Sequence, residues 1–565
     1  MQSGCEACKT FHRGINTSDA PCPTTSDQIT LKMSAFEIVG VIGLLASVKG
    51  AVDTFNLLAD LFASDTGLGH VALMYSLESI RFKVWCENVK ADDESACLLR
   101  KLPQEIQTCV ANVMAEMVKI QETIKKHFVD KYKLPPLQQL PPGVAFSPKS
   151  SRIAQLRSQY AKLKLGHRWS WVTGKKQELE DLVKKIQKLN AHLDRLAPQT
   201  EADKARLVKA VLTQLDERLS LAAMFDPKGS EDSLLSLACQ IKTIHEQDPD
   251  AAAAHVKYIH SGEISVFCDP KAMGGRHTGI YNATGGHDDK VLVEWKGIKA
   301  GTPREKDIET RIDVLGALLS TRDAEPFHRM PFVGIFDDTD FEHRQGDRRI
   351  GLVYRIPKSL GNLDSPSSLA ERIGKAETRP ALGDRFELAT KLASAMSLFH
   401  ATNWLHKSFR SDNILFGEDE DITKPYILGF GYSRPAGDDS IETHPAGDAK
   451  LDLYYHPDVG EGWTKVKDIY SLGIVLLEVA FWRPMFEERL LGMGLHQVSE
   501  DIAASLNGTF GQNLVGMVGQ VYVDVVKRCL AGSFDVQTGE TREEAMELSR
   551  KFSYSVIQPL ASCKA

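Results

Sequence analysis

The chain lacks any run of the roughly 18–20 apolar residues that a single helix needs to cross a bilayer, and its first residues have no long apolar segment of the secretory kind. It also lacks a positive excess. The 68 Lys and Arg stand against 75 Asp and Glu, a formal charge of −7, so the molecule as a whole is not expected to bind nucleic acid. Cysteine is sparse. Ten residues scattered over 565 make no disulfide framework, and a reducing, cytoplasmic setting is the simpler expectation. Cys5, Cys8, His12 and Cys22 are irregularly spaced in a segment poor in core-forming residues, so no metal site is expected there. There is no internal repeat.

What is present is a long globular composition, 42% hydrophobic and 25% charged, too large for one core. Residues 1–33 are rich in small polar types and are expected to be a disordered leader; Met33 reads as an alternative start. From 34 to 245 the apolar periodicity is helical, with runs at 34–63, 68–90, 102–128, 175–197 and 201–219. Prolines exclude helix interior from 134–148. A polar stretch, 246–260, reads as a linker. HVKYIHSGEISVF (255–267) and DKVLVEWKG (289–297) then alternate as half-buried strands do, and between them lies a glycine-rich segment (271–289) expected to be a mobile hairpin. After about residue 360 helices return, so strands followed by helices predict a two-lobed α+β domain over 261–560.

Several ordered motifs in that second half resemble those of protein kinases. VEWK (293–296) looks like the strand carrying the phosphate-contacting lysine, which makes Lys296 the candidate, with Glu309 on the next helix as its expected partner and Glu305 as the alternative. LHKSFRSDNILF (405–416) looks like the catalytic loop, with His406 and Asn413 in place. YILGFGYSRP (426–435) resembles the metal-binding strand and turn, with Phe430 and Gly431 in place. LYYHPD (453–458) supplies Pro457, and in KDIYSLGIVLLEVAFWRPMF (467–486) Asp468 stands where kinases buttress the catalytic loop.

Two carboxylates are missing from this pattern. Ser408 occupies the place of the general base, and Gly429 that of the magnesium ligand. A positioned general base contributes about 10²–10⁴-fold, and the metal clamp carries further transition-state charge. The glycine-rich segment does not present G-x-G-x-x-G, and Asp412, Asp438 and Asp439 are the nearby acids that could substitute. The expectation is a pseudokinase that needs no cofactor, with Lys296, Glu309 and Asn413 leaving ATP binding without turnover open.

At the other end, FEIVGVIGLLASVKGAVDTFNLLADLF (36–62) opens with nearly uncharged residues, among them Phe36, Ile38, Val39, Val41, Ile42, Leu44 and Leu45. Such a segment suits either a buried bundle helix or one that enters a membrane as an oligomer. A stretch between Lys149 and Lys188 is rich in Lys and Arg, with Trp169 and Trp171 beside it, and suits either a solvated face or anionic lipid. The apolar helix, the Arg81-x-x-x-Trp85 helix and the Trp-rich turn before a Lys-rich helix together resemble the fungal HeLo domain of heterokaryon-incompatibility proteins related to prion inhibition and propagation. That resemblance implies a helical bundle that permeabilises membranes in programmed cell death. It also implies homo-oligomerisation on activation, an upstream signalling protein such as a receptor of the NLR type, anionic lipids as partners and recruitment to the plasma membrane. The expected fold is thus multidomain, an all-α HeLo-like bundle followed by a kinase-like α+β domain. An active atypical Ser/Thr kinase with a helical adaptor, and a non-catalytic interaction scaffold, remain as alternatives.

Overall fold

The computed structural model describes residues 41–565 apart from 64–67, 133–172, 198–200, most of 215–255, 283–287, 303–304, 322–324, 358–365, 376–378, 418–420, 437–448, 537–541 and a few positions between 92 and 96. The leader with Met33, Phe36, Ile38 and Val39, the proline-rich loop, Trp169, Trp171, the basic residues before Lys175, most of the linker, and Asp438 and Asp439 lie outside the described residues.

Four helices build the first core: α1 (Val41–Ala63), α2 (Gly69–Asn88), α3 (Gln104–Tyr132) and α4 (Thr173–Leu196). In α1 the buried positions include Leu45, Val48, Ala51, Phe55, Leu58 and Phe62, spaced three or four apart on one face, with Leu61 beside them. The side chains of Val41, Ile42 and Leu44 fall outside the described residues. Phe62 meets Phe128 of α3 edge-on at 4.9 Å, and Phe55 lies 5.5 Å from Tyr75 of α2.

A polar clamp fixes α2 against α4. Arg81 donates from Nε and Nη2 to Asp194 Oδ2 at 2.8 and 2.6 Å, and Trp85 Nε1 donates to the Leu193 carbonyl at 3.2 Å. Arg81 and Trp85 are one helical turn apart, so both reach the same neighbour. Asn190, a turn before Asp194, donates to the backbone and side chain of Glu78. The Arg-x-x-x-Trp pattern thus serves helix packing.

Helix α2 is apolar on two sides. Tyr75, Phe82 and Trp85 enter the bundle core, whereas Leu73, Leu77, Ile80 and Val84 belong to a second core. That core also contains Leu207, Val208 and Val211 of α5 (Glu201–Gln214) and runs into the C-terminal helical lobe. A helix with two apolar faces needs cover on both, and here two different bodies supply it.

The first lobe of the C-terminal region is a six-stranded sheet in the order β1-β5-β6-β4-β3-β2, made of β1 (Tyr258–Ile259), β2 (Ile264–Val266), β3 (Gly275–Asn282), β4 (Asp288–Ile298), β5 (Phe332–Asp337) and β6 (Arg348–Arg355). The β1–β5 pair is parallel and the other pairs are antiparallel. Two sequence readings differ from this. The expected strand at 255–267 is two short strands at opposite edges of the sheet, parted by a tight turn at Ser261–Glu263. Its alternation continues through the turn, which hides the break. The glycine-rich hairpin contains β3, where Gly279 permits close strand approach: a Cβ there would lie 2.5 Å from the Ser265 carbonyl oxygen.

Across one face of the sheet lies α6 (Glu305–Leu319). The second lobe centres on α7 (Leu382–Ala401), α8 (Lys465–Phe481) and α9 (Gln520–Ala531). Every residue of α8 from Lys467 to Phe481 is buried, and its carbonyls are used from outside: Tyr522 donates to Leu476 and Arg385 to Ala480.

Arg81→Ala should cost about 3 kcal/mol in chemical denaturation of the bundle, because it removes the guanidinium from the largely buried carboxylate of Asp194. Replacing both partners by apolar residues of similar size should cost much less.

Candidate functional site

The cleft between the lobes is organised from below by Asp468, which is fully buried at the start of α8. Its Oδ2 accepts the His406 N–H at 2.7 Å and faces His400 Nε2 at 3.1 Å. Its Oδ1 accepts the Lys407 N–H at 2.9 Å and Trp463 Nε1 at 2.8 Å. Burial alone would raise this carboxyl, but His400, His406 and these donors hold it below the usual carboxylate range. Lys407 is held at a φ of 62°, a left-handed conformation that the two adjacent N–H bonds impose.

This anchor presents the loop that carries Ser408. The Ser408 hydroxyl accepts from Arg410 Nη1 at 2.9 Å and from Asn413 Nδ2 at 3.0 Å, and Asn413 also donates to the Ser408 carbonyl at 2.6 Å. A neutral hydroxyl so engaged supplies no carboxylate base. The Asn413 amide tightens the loop.

Gly429 sits above Asn413 at a φ of 92°, and a Cβ at that position would lie 2.2 Å from Asn413 Nδ2. Glycine is therefore favoured by the path of the turn itself. Phe430 packs 5.0 Å from His406 and 5.5 Å from Phe399, tying the turn to the loop. Pro457 follows Tyr454, whose hydroxyl donates to Glu478 Oε2 at 2.9 Å; Ser411 of the loop donates to the same oxygen.

On the sheet side, Lys296 is buried, with its ammonium 3.7 Å over the ring of Tyr432, next to Gly431. Glu309 on α6 pairs with Arg348 of β6, and Glu305 lies 3.9 Å from the same guanidinium. The acidic helix face is thus engaged by an arginine that the motif comparison did not single out. Also unanticipated is Glu294, two residues before Lys296 and so on the same strand face. Its Oε2 accepts the Gly429 N–H at 2.8 Å and its Oε1 the Gly431 N–H at 2.9 Å. The signal for it was a carboxylate inside the apolar run V-L-V-E-W. Arg276, directly across the ladder from Glu294, donates to the Asp412 carbonyl and so joins sheet to loop. Among the described residues no cluster of His, Cys, Asp or Glu could hold a metal ion, and no helix is long and apolar enough to cross a membrane.

Comparison with known proteins agrees with this division. Residues 38–224 match the HeLo family (prion-inhibition and propagation), and residues 350–562 match a domain of unknown function, DUF7580. The chain is 26% identical over 243 residues to a serine/threonine-protein kinase-like protein of Arabidopsis thaliana, covering 39% of this chain and 62% of the relative. It is 27% identical over 205 residues to a leaf rust 10 disease-resistance locus receptor-like protein kinase-like protein of the same plant, covering 33% and 29%. It is 34% identical over 92 residues, 16% of each chain, to a membrane-associated tyrosine- and threonine-specific cdc2-inhibitory kinase of Drosophila melanogaster. The matches thus span less than two thirds of these curated relatives. The chain joins a HeLo region to a kinase-like region of α+β fold.

Two predictions follow from the geometry. Gly429→Ala should lower stability by about 2 kcal/mol or more in thermal or denaturant unfolding, through left-handed strain and the clash with Asn413. The second concerns pH. Burial holds His406 down to about 4, so below pH 6.5 the unfolded chain binds a proton that the folded one refuses, and stability falls as pH drops from 6.5 towards 4. Burial pushes Glu478 up to about 7, which acts in the opposite sense: that contribution is present at low pH and fades as pH rises from 4.5 towards 7. The two offset each other in the wild type. Glu478→Gln should unmask the histidine, and the stability of that variant should rise with pH between 4.5 and 6.5 by about 2–3 kcal/mol.

Proposed function

We propose that this protein is a signalling effector of the cell-death or incompatibility type, in which the HeLo bundle acts as an oligomer at an anionic membrane and the kinase-like region restrains it without transferring phosphate. On this reading an upstream signalling protein releases the restraint. The bundle then moves from the cytoplasm to the plasma membrane.

The observation that carries the reading is the second core. Leu73, Leu77, Ile80 and Val84 of the bundle are buried with Leu207, Val208 and Val211 against the kinase-like lobe. Lys209 on the same helix donates to the Ser549 carbonyl at 2.6 Å. A conformational change in that lobe therefore has a direct mechanical route to the bundle. The non-catalytic part rests on Ser408, on Gly429 in its left-handed turn, and on Asn413 committed to the loop. The exposed Lys175, Lys184, Lys185 and Lys188 of α4 favour an anionic surface.

The test uses the whole chain and dye-loaded vesicles containing phosphatidylserine. The wild type should leak them slowly, and the double variant Val208→Asp, Val211→Asp, which breaks the second core, should leak them several-fold faster. No gain in leakage with the bundle still folded would leave the interaction scaffold as the better reading. Incubation with ATP and magnesium should give no phosphoryl transfer, and Ser408→Asp should not create it. Transfer abolished by Lys296→Ala would establish the atypical kinase instead.

A further inference from the structure

We propose that Glu294 is a built-in anionic ligand of the interlobe cleft, held where a nucleotide phosphate would otherwise sit and closing the kinase-like region to nucleotides. The inference deepens the non-catalytic reading given above and rests on it.

Four features of the site support it. First, the carboxylate is largely buried, at 8% exposure, and sits at mid-strand between Val293 and Trp295. Burying a carboxylate is costly unless dedicated donors receive it, so its position implies a specific receptor. Second, that receptor is built from backbone. Gly429 is left-handed, the next three residues form a single tight helical turn, and the Gly429 and Gly431 N–H groups converge on one side. Successive N–H groups in such a turn form a concavity that binds anions, phosphate among them. One oxygen of Glu294 fills each donor.

Third, the cations suited to phosphate are gathered around the same carboxylate. Arg276 is its cross-strand partner and Lys296 its same-face neighbour two residues on. Lys296 is also packed on Tyr432, which belongs to the turn that Glu294 grips. Fourth, the far side of the turn offers little room: a cavity there, lined among others by Ile308, Arg311, Lys407, Gly431, Tyr432 and Arg434, measures about 20 Å³, room for about one water. A triphosphate approaching Glu294 would have to displace a hydrogen-bonded carboxylate or lie beside its like charge, and either outcome weakens binding.

The arrangement explains why a strand otherwise committed to the core carries a carboxylate next to the lysine. It also gives the turn a role other than metal binding. Glu294 pins the turn to the sheet, while Arg276, through the Asp412 carbonyl, pins the loop to the sheet. The lobes are latched by the groups that would otherwise meet the phosphates.

The test is titration of the full-length protein with ATP, with and without magnesium, read by calorimetry and by thermal shift. The wild type should show no binding at millimolar ATP, and Glu294→Ala should bind about tenfold more tightly or better. Wild-type binding equal to that of Glu294→Ala overturns the inference, as does a folded Glu294→Ala that still binds nothing. If Glu294→Ala does not fold, Glu294→Gln is followed by amide hydrogen exchange. Exchange should quicken at Gly429 and Gly431 relative to the rest of the sheet, and unchanged exchange there overturns the latch. Binding by the wild type without phosphoryl transfer removes the latch and leaves the non-catalytic reading standing; transfer removes both.

Discussion

The C-terminal half of the molecule depends on one buried carboxylate, that of Asp468. It receives four donors from three separate segments, and two of these are backbone N–H groups of the loop that carries Ser408. An ionised group in that position is tolerable only because every lone pair is occupied. In return it fixes the loop backbone to α8, the most completely buried helix described. His406, whose backbone N–H is held by this anchor, packs against Phe430 with the two rings tilted. The turn at Gly429 is therefore placed by a chain of contacts that begins at Asp468, and Glu294 reaches a turn that is already fixed. The kinase-like scaffold thus keeps these contacts around a loop with a hydroxyl at Ser408 and a turn with glycine at 429.

The second constraint is hydrophobic and links the halves. Helix α2 is covered by the bundle on one side and by α5 with the C-terminal lobe on the other. The polar clamp of Arg81, Trp85 and Asn190 joins α2 to α4, which places the strongest directional contacts inside the bundle. Contacts to the other lobe are mainly apolar, with Lys209 to Ser549 as a polar exception. The seam within the bundle is therefore directional, while the seam to the other lobe is held chiefly by buried apolar area.

Much of this was legible in the sequence, for identifiable reasons. The helices at 69–88, 104–132 and 173–196 followed from periodicity, and α8 from a motif whose helical positions, Lys467 to Phe481, are all buried. Arg81 and Trp85 were visible as a pattern, but their partners Asp194 and Leu193 were not, since contacts across more than a hundred residues leave no local trace. The two faces of α2 were hidden for a similar reason: a helix covered by two bodies has no polar side to mark it. The strands at 258–259 and 264–266 read as one because their alternation crosses the turn. The role of Glu294 has no local trace, because only the approach of the turn, some 135 residues later, supplies its partners.

The left-handed turn at Gly429 also bears on how such a domain can change over generations. A side chain placed at position 429 would meet Asn413 and adopt a positive φ, so a single substitution there is strained. The turn's N–H groups are held by Glu294, so a change at 429 is felt at 294 as well. The two positions are coupled, and neither can be altered without disturbing the other.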